Sequence, residues 1–562
     1  MAHASSRDIL VQHYDSDTAT LDVSGSEYED LEMGLPSRSR GFFFMVTLAM
    51  GFGGLQLVFA VQWSYGSVRP RIPGWGIAER WQAYLTSLGL SKMMLGVAWI
   101  GGPLSGVFIQ PLIGAASDRC RSPWGRRKPF IAAGGAIVTL SLLCLAWCRE
   151  LLQGSIGIFL QHPSADFVDN ITVPVAIFLF YLLNFGIQPL QSGLRALVVD
   201  SCPIHLQEKS TAYAGLSTSI GSIVGYIAGF IDLPQYLPLF GNSQFKILCA
   251  LTCIGLVSTL LLCCCFVEER QFRPKDEKED RKKFSTISKM LYSFRTLSKR
   301  TKQIYKVHFF TSMGWSPFLF YISIYVAEIC NQLRIQNIKL RVSNIGFTDE
   351  RSKSDHKHYL DPLSDYADAS RYPSFVLLLY AATSFISGLI LYRLVQHYGL
   401  QSGFGDESKF FRLRLSLKGI WLVSNVFCAA CMLSTPFLIT TRGVTIVVCL
   451  LGIPWSITIW VPFALIGIET SRLRQTAALG LDTCSAHDRT GTILAVHSAA
   501  IALPQIIATM GASLIFWVMG DQGVTWVIAC GGLAALVAAW MTLGVSESRG
   551  ELREEAYHLG VL

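Results

Sequence analysis

The sequence has few charged residues for its length. Asp, Glu, Lys and Arg make up only 15% of its 562 residues, whereas soluble proteins have about 25%. Apolar residues make up 51%, and the mean hydropathy is +0.41. A water-soluble fold could not bury that much apolar surface, so the bilayer must surround most of the chain. The composition therefore excludes a cytosolic enzyme and a nucleic-acid-binding module.

Three other common signals are missing. The 15 cysteines lie mostly in apolar runs and form no disulfide framework. Cys428 and Cys431 have hydrophobic neighbours, and we interpret them as inert core residues. No zinc-ligand spacing is present, so we expect no metal and no other bound cofactor. Residues 1–40 are polar and acidic, which argues against a secretory signal peptide.

Apolar runs of about 20 residues, the length of a helix that crosses a bilayer, recur along the chain. Because unpaired backbone groups are prohibitive in lipid, each run is predicted to be a helix. Twelve runs fit, at 42–65, 94–116, 129–148, 173–200, 211–232, 245–267, 308–328, 372–395, 417–440, 443–468, 491–515 and 524–544.

A polar stretch divides these runs into two sets of six. We predict an N-terminal six-helix half at 42–267, a central loop at 268–307 and a C-terminal half at 308–544. The predicted tails at 1–41 and 545–562, and a long outer loop at 329–371, are polar. We expect much of the N-terminal tail and the outer loop to be disordered or locally helical. An all-α membrane fold with this 6+6 layout is the organisation of a major facilitator transporter.

The cations indicate the orientation of the chain. Five Lys or Arg residues follow span 2 and thirteen lie in the central loop, whereas the loops after spans 5 and 11 have almost none. The outer loop has seven, but loops of that size are weak topology signals. We therefore expect both termini to be cytoplasmic. We expect the plasma membrane as the location, with the vacuolar membrane as the alternative.

The loop between spans 2 and 3 carries a dense group of charges. Asp118 lies where span 2 meets the cytoplasm, and Arg119, Gly125, Arg126 and Arg127 follow it. Charge pairs at the edge of a helix bundle can form and break as two halves rock. We predict that these five residues belong to a gating network. The alternative is a simple positive anchor at the membrane surface.

Span 4 carries charges within or near the membrane. An ionisable residue at that depth normally faces a wet cavity and a partner. Asp200 is the candidate proton carrier, and Arg195 is its modulator or a donor to sugar hydroxyls. The spacing of five residues places them apart on the helix, so Arg195 could instead pair with another helix. The alternative for Asp200 is an interfacial cap beside Ser201 and Pro203.

Span 7 ends in an acidic residue, Glu328, after a segment that Gly314 and Pro317 can break. Glu328 could be a partner in an outer gate, or it could be a solvated helix end.

Polar and aromatic residues within other spans suit a sugar. Sugar rings offer apolar faces and hydrogen-bonding edges, so aromatic rings beside amides and hydroxyls bind them. We predict that the substrate contacts Gln56, Gln62, Trp63, Tyr226, Trp455, His497, Ser498 and Gln505. Taken singly, each residue type is more often involved in packing or in hydrogen bonds between helices.

Several stretches together resemble the sucrose-transporter branch of the glycoside–pentoside–hexuronide:cation symporters. They are Gly54–Gln56, Gly101–Pro111, Ser117–Cys120, Gly125–Phe130, Arg195–Asp200, Trp315–Phe320, Gly452–Thr458, Pro462–Leu465 and Leu503–Gln505. The resemblance implies proton-coupled symport of sucrose or related α-glucosides such as maltose. It also implies that Asp200, in the position of the family's span 4 aspartate, couples the proton.

The sequence departs from the plant-type pattern in span 7, where Tyr321, Ser323 and Ala327 replace two aspartates and an arginine. Ser498 stands where the family has asparagine. These departures are more similar to fungal α-glucoside members. The alternatives within this reading are a proton-coupled sugar exporter of an organelle and a sugar sensor that does not transport. An enzyme is not expected, because no nucleophile–base pair or metal set is visible.

Overall fold

The computed structural model describes residues 41–64, 92–159, 165–241, 243–269, 297–345, 362–401, 416–478, 490–520 and 523–545. Nearly all of both predicted tails, most of the central loop and the middle of the outer loop lie outside these residues. The residues from Phe42 onward belong to one compact unit.

Fourteen helices form the described part of this unit, besides single turns. The N-terminal half contains α1 (Phe42–Ser64), α2 (Lys92–Asp118), α3 (Lys128–Ala146), α4 (Cys148–Phe159), α5 (Ala165–Ser201), α6 (Ile204–Phe230) and α7 (Gln244–Phe266). The C-terminal half contains α8 (Lys299–Ile345), α9 (Pro362–Gln401), α10 (Leu417–Leu433), α11 (Thr441–Thr458), α12 (Val461–Ala478), α13 (Thr490–Met519) and α14 (Gly523–Thr542).

Eleven helical stretches of the described residues are long and apolar enough to cross a membrane. Helix α6, the counterpart of predicted span 5, is not among them, since Gly, Ser, Thr and Tyr residues recur along its length, besides polar residues such as Gln207 and Glu208 in its first turns. It nevertheless packs between α1 and α9 inside the bundle. The Gln207 amide donates to the carbonyls of Val199 and Cys202, which satisfies part of its polar surface. With α6, every predicted span has a helical counterpart.

One predicted segment differs from the structure. Predicted span 10 is two helices, α11 and α12, because Pro462 cannot donate the backbone hydrogen bond that would continue the first helix. The predicted outer loop is partly helical, since α8 continues to Ile345 and α9 begins at Pro362.

The two halves pack against each other along several helices. Helix α2 of the N-terminal half lies against α13, and α6 lies against α9. Gly106 of α2 allows the first contact, since a Cβ there would lie 2.7 Å from the Cβ of Ala502. Each half has its own apolar core, and a third core joins residues of both halves near the start of α8. The halves therefore form one bundle with an internal interface.

Candidate functional site

A cavity lies at the interface between the halves. It encloses about 270 Å³ and is lined by residues of α1, α2, α5 and α6 from one half and α8, α11, α12 and α13 from the other. The elements that line it include the junction of α11 and α12, where Thr458, Ile459 and Phe463 face the cavity. A helix break is tolerated at membrane depth where it borders a cavity.

Amide side chains dominate the polar lining of the cavity. They are Gln56, Gln62, Gln110, Asn184, Gln188, Gln191 and Gln505. Some hold the helices together: Gln188 Nε2 donates to Ser105 Oγ over 2.8 Å, and Gln110 Nε2 donates to Gln191 Oε1 over 3.1 Å. The amides of the N-terminal half are therefore partly structural.

Three other donors that line the cavity have no acceptor among the described residues. They are Nε2 of Gln56, Nε2 of Gln62 and Nε1 of Trp315, on side chains that are all at least nine-tenths buried. A buried donor without an acceptor costs about 1–3 kcal/mol. A ligand that brings oxygen acceptors into the cavity would remove that cost.

Tryptophan rings connect the two halves beside these donors. The Trp63 ring of α1 stacks on Phe59 at a centroid distance of 5.2 Å and meets Trp455 of α11 edge-on at 6.5 Å. Trp455 in turn lies 4.9 Å from Trp315 of α8. The donors and the aromatic surface together can bind a molecule that has both polar edges and apolar faces.

The other part of the cavity is positively charged. The guanidinium of Arg195 lies 4.1 Å from the centroid of Phe463, and its Nη1 donates to Ser498 Oγ over 3.4 Å. Both partners belong to the C-terminal half, so the sequence was right to allow Arg195 a partner on another helix. No ion pair of Arg195 exists within the part of the chain that the structure describes.

A histidine pair lies beside Arg195. His308 Nδ1 of α8 is 2.9 Å from His497 Nε2 of α13. His308 lines the cavity, whereas His497 is completely buried behind it. The sequence analysis missed His308, because a single histidine in an apolar span gives no sign of its partner 189 residues away.

Most of the predicted substrate-binding residues lie at this cavity, and two do not. Gln56, Gln62, Trp63, Trp455, Ser498 and Gln505 line it. Tyr226 is instead buried in the core of the C-terminal half, and His497 is one layer behind the cavity wall. Their helices carry other residues, Thr218 and Ser498, that face the cavity in their place.

Several of the predicted gating residues form a charge cluster at one end of the bundle. This end, at which residues 119–127 join α2 to α3, is called the basic end. Arg127 is fully buried there between two carboxylates, with Nη2 2.7 Å from Asp118 and Nε 2.8 Å from Asp200. Burial alone would lower the pKa of Arg127, but Asp200 and Asp118 raise it above its ordinary value. Its Nη1 also donates to Ser117.

Asp200 lies in this cluster and not at the cavity wall. Its Oδ2 accepts hydrogen bonds from both Arg126 and Arg127, and its side chain is 9% exposed. Arg119 is exposed, and Glu328 is half-buried at the far end of the membrane-spanning part of α8. The structure thus brings Asp118, Arg126, Arg127 and Asp200 together and leaves Arg119 and Glu328 apart.

Glu269, which follows α7, completes the cluster and was not foreseen. Its Oε1 accepts from the backbone N–H of Arg127 at 2.6 Å, and its Oε2 accepts from that of Lys128 at 3.2 Å. Burial raises the pKa of Glu269 above its ordinary value. Gly125 lies against this carboxylate at φ +122°, where a Cβ would collide with it. The glycine is therefore required by both backbone conformation and space.

The chain is similar over most of its length to known transporters. It is 27% identical to the general alpha-glucoside permease of Schizosaccharomyces pombe, with 90% of this chain and 93% of that protein covered. It is 26% identical to the sucrose transport protein SUT2 of Oryza sativa subsp. indica, with 76% and 81% covered.

The fold also has a solved counterpart. A structure of the proton:xylose symporter XylE bound to 6-bromo-6-deoxy-D-glucose matches with a TM-score of 0.53 at 12% identity, and covers 91% of this chain and 97% of that one. The family model described as Major Facilitator Superfamily matches residues 42–333, which is more than half of the 562 residues. With its bundle of two halves around a central cavity, the chain belongs to the major facilitator superfamily.

Proposed function

We propose that this protein transports an α-glucoside, such as maltose or sucrose, together with a proton. One observation carries the proposal: three buried N–H donors that have no acceptor among the described residues lie beside a tryptophan surface in a cavity between the halves. Sugar hydroxyl oxygens would accept from these donors, while the apolar faces of the rings pack on the indoles. The permease and sucrose transport protein to which the chain is similar support this substrate class.

The two halves would expose the cavity to each side of the membrane in turn. The charge cluster at the basic end suits a gate, because its ion pairs join α2, α3 and α5 in one conformation. We propose that this end is cytoplasmic, as the distribution of Lys and Arg predicts, and that the protein lies in the plasma membrane. Asp200 remains our candidate for proton coupling within the gate, with Arg195 as its link to the cavity.

The test is uptake of labelled maltose and sucrose into proteoliposomes that contain the full chain. With an imposed proton gradient, inside alkaline, we expect accumulation that a protonophore abolishes. Sugar binding without any uptake would contradict transport and favour a sensor. Accumulation only with the opposite gradient would favour an exporter of an organelle. The Asp200→Asn variant should lose accumulation if this carboxylate couples the proton, and wild-type accumulation would remove it from the mechanism.

The substrate site is tested by a pair of tryptophan variants. Trp315→Phe keeps a ring but removes the donor that faces the cavity, so the KM for maltose should rise about five- to tenfold, as the loss of one hydrogen bond predicts. Trp421→Phe is the matched control, because Trp421 is also buried, its Nε1 has no acceptor in the described part of the chain, and it does not line the cavity. Equal KM changes in both variants would place the sugar elsewhere.

A further inference from the structure

The cavity that we assign to the sugar has no carboxylate among the described residues that line it. Asp200 lies outside the lining, and its Oδ2 accepts from two arginines. Among the described residues of the wall, His308 is the one whose side-chain type has an ordinary pKa near neutral pH. A proton that travels with the sugar can therefore reach His308 directly.

His308 does not stand alone, since its ring shares a hydrogen bond with His497. The Nδ1 to Nε2 distance is 2.9 Å, and both rings are almost completely buried. A neutral pair has two ring N–H groups, one of which lies in this contact. When His308 Nδ1 is the donor, its Nε2 has a lone pair that can accept a proton from cavity water. The product is an imidazolium that still donates Nδ1–H to His497.

The side chains around the pair are mostly uncharged. Helix α10 contributes Trp421 and α12 contributes Phe463, whose rings lie 6.1 Å and 5.5 Å from that of His308. Tyr305 of α8 lies 5.1 Å from His497 and donates its hydroxyl to the Ile493 carbonyl. Along α8 the next charged residues are Lys306, which is exposed, and Lys302, which is half-buried. Arg300 of α8 and Glu469 of α12 lie toward the basic end and contact each other.

The charge that faces the pair comes from the other half of the protein. Arg195 of α5 lies over Phe463, whose ring is 5.2 Å from His497, and it donates to Ser498, the next residue along α13. A guanidinium at this place opposes a second positive charge on the pair. Because Arg195 and the pair belong to different halves, a movement of one half changes their separation.

We propose that His308 and His497 form a proton-binding site whose occupancy Arg195 controls across the interface between the halves. This inference rests on the proposed function and names a second proton site for it, besides Asp200. When the halves part at α5 and α13, the pair takes up a proton from cavity water. When they approach again, Arg195 drives that proton back into the cavity, on the side to which the cavity is then open.

The first test compares two transport assays on the full chain in proteoliposomes. Counterflow of labelled maltose at equal pH needs no net proton movement, whereas accumulation under an imposed proton gradient does. We expect His308→Gln to lose accumulation relative to its own counterflow, with the sugar ratio falling to unity. A wild-type accumulation ratio in this variant would overturn the proposal. Absence of counterflow from the wild-type protein would instead refute the proposed function.

A second test does not depend on transport by the variant. The purified, sugar-free protein is titrated between pH 5 and pH 8 in detergent, and the number of protons bound is compared with that of the His308→Gln/His497→Gln double variant. We expect the double variant to bind one proton fewer and Arg195→Gln to shift the uptake to higher pH. Identical titration curves would contradict the proposal. Tyr305→Phe is the control, since it alters a ring beside the pair but leaves both imidazole rings of the pair in place.

Discussion

Each half has a charge cluster at the basic end, and the two clusters differ in how closely their charged groups are paired. In the N-terminal half, Arg127 contacts Asp118 and Asp200 at 2.7 Å and 2.8 Å, with Arg126 as a further cation. In the C-terminal half, Arg300 Nη1 lies 3.7 Å from Glu469 Oε2, and neither atom has a hydrogen-bond partner among the residues that the structure describes. The first cluster fixes α2, α3 and α5 to one another, whereas the second leaves α8 and α12 only loosely joined.

The largest effect should come from removal of the central cation of the first cluster. Arg127→Met leaves two buried carboxylates without their shared partner, which should lower the free energy of unfolding by about 3–5 kcal/mol. Thermal or denaturant unfolding of the purified protein in detergent measures this change. Arg126→Met is the matched control, because Arg126 is 15% exposed and, among the described residues, forms an ion pair with Asp200 but not with Asp118. An Arg127→Met protein as stable as Arg126→Met would show that the cluster contributes little.

A smaller effect is expected at the turn that holds the cluster together. Gly125→Ala forces a side chain into a left-handed conformation and displaces Glu269 from the start of α3. We expect a loss of about 1–3 kcal/mol, measured as above. Gly154→Ala in α4 is the control, since nothing lies within 4 Å of a Cβ there. A neutral Gly125→Ala substitution would mean that the turn can rearrange freely.

The cluster of the C-terminal half should be less sensitive to mutation. Glu469→Gln retains an oxygen for the Ser298 hydroxyl, which lies 2.8 Å from Glu469 Oε1, and loses only a long ion pair. We expect a cost of about 1 kcal/mol. If Glu469→Gln destabilised the protein as much as Arg127→Met does, the contrast between the halves would not hold.

The smallest effect should occur at an exposed pair away from the basic end, that of Glu150 with Lys246. Partial burial opposes ionisation, but the hydrogen bond from Lys246 lowers the pKa of Glu150 below its ordinary value. The pair therefore stabilises the fold above the unfolded pKa of about 4.3 and loses this effect as the pH falls through the lower folded value. Glu150→Gln should cost less than about 1 kcal/mol at pH 7, and its stability should converge with the wild type in acid.

The sequence predicted the helices well because a bilayer demands long apolar runs. Such runs can be recognised in the local sequence without knowledge of contacts between distant residues. It also identified Asp118, Arg126 and Arg127 as a group, since they are close in the chain. It could not identify Glu269 as their partner, because the contact with Arg127 joins residues 142 positions apart. The same reason hid the pairing of His308 with His497. Contacts between distant residues depend on helix packing, which periodicity alone does not determine.

The placement of Asp200 shows this limit most clearly. Its position beside Ser201 and Pro203 allowed an interfacial cap, whereas the resemblance to sucrose transporters implied proton coupling. The structure locates the carboxylate at the basic end with Arg126 and Arg127, and its role stays a prediction. Arg195, five residues earlier, is the member of that motif that reaches the cavity.

Helix α8 has 47 residues, which corresponds to a length of about 70 Å. The hydrocarbon region of a bilayer is only about 30 Å thick, so a large part of this helix extends beyond that region. A projection of that size would break the featureless outline that a detergent micelle gives to a small membrane protein. It therefore offers electron cryomicroscopy an alignment landmark, and a grafting point for a rigid fusion partner.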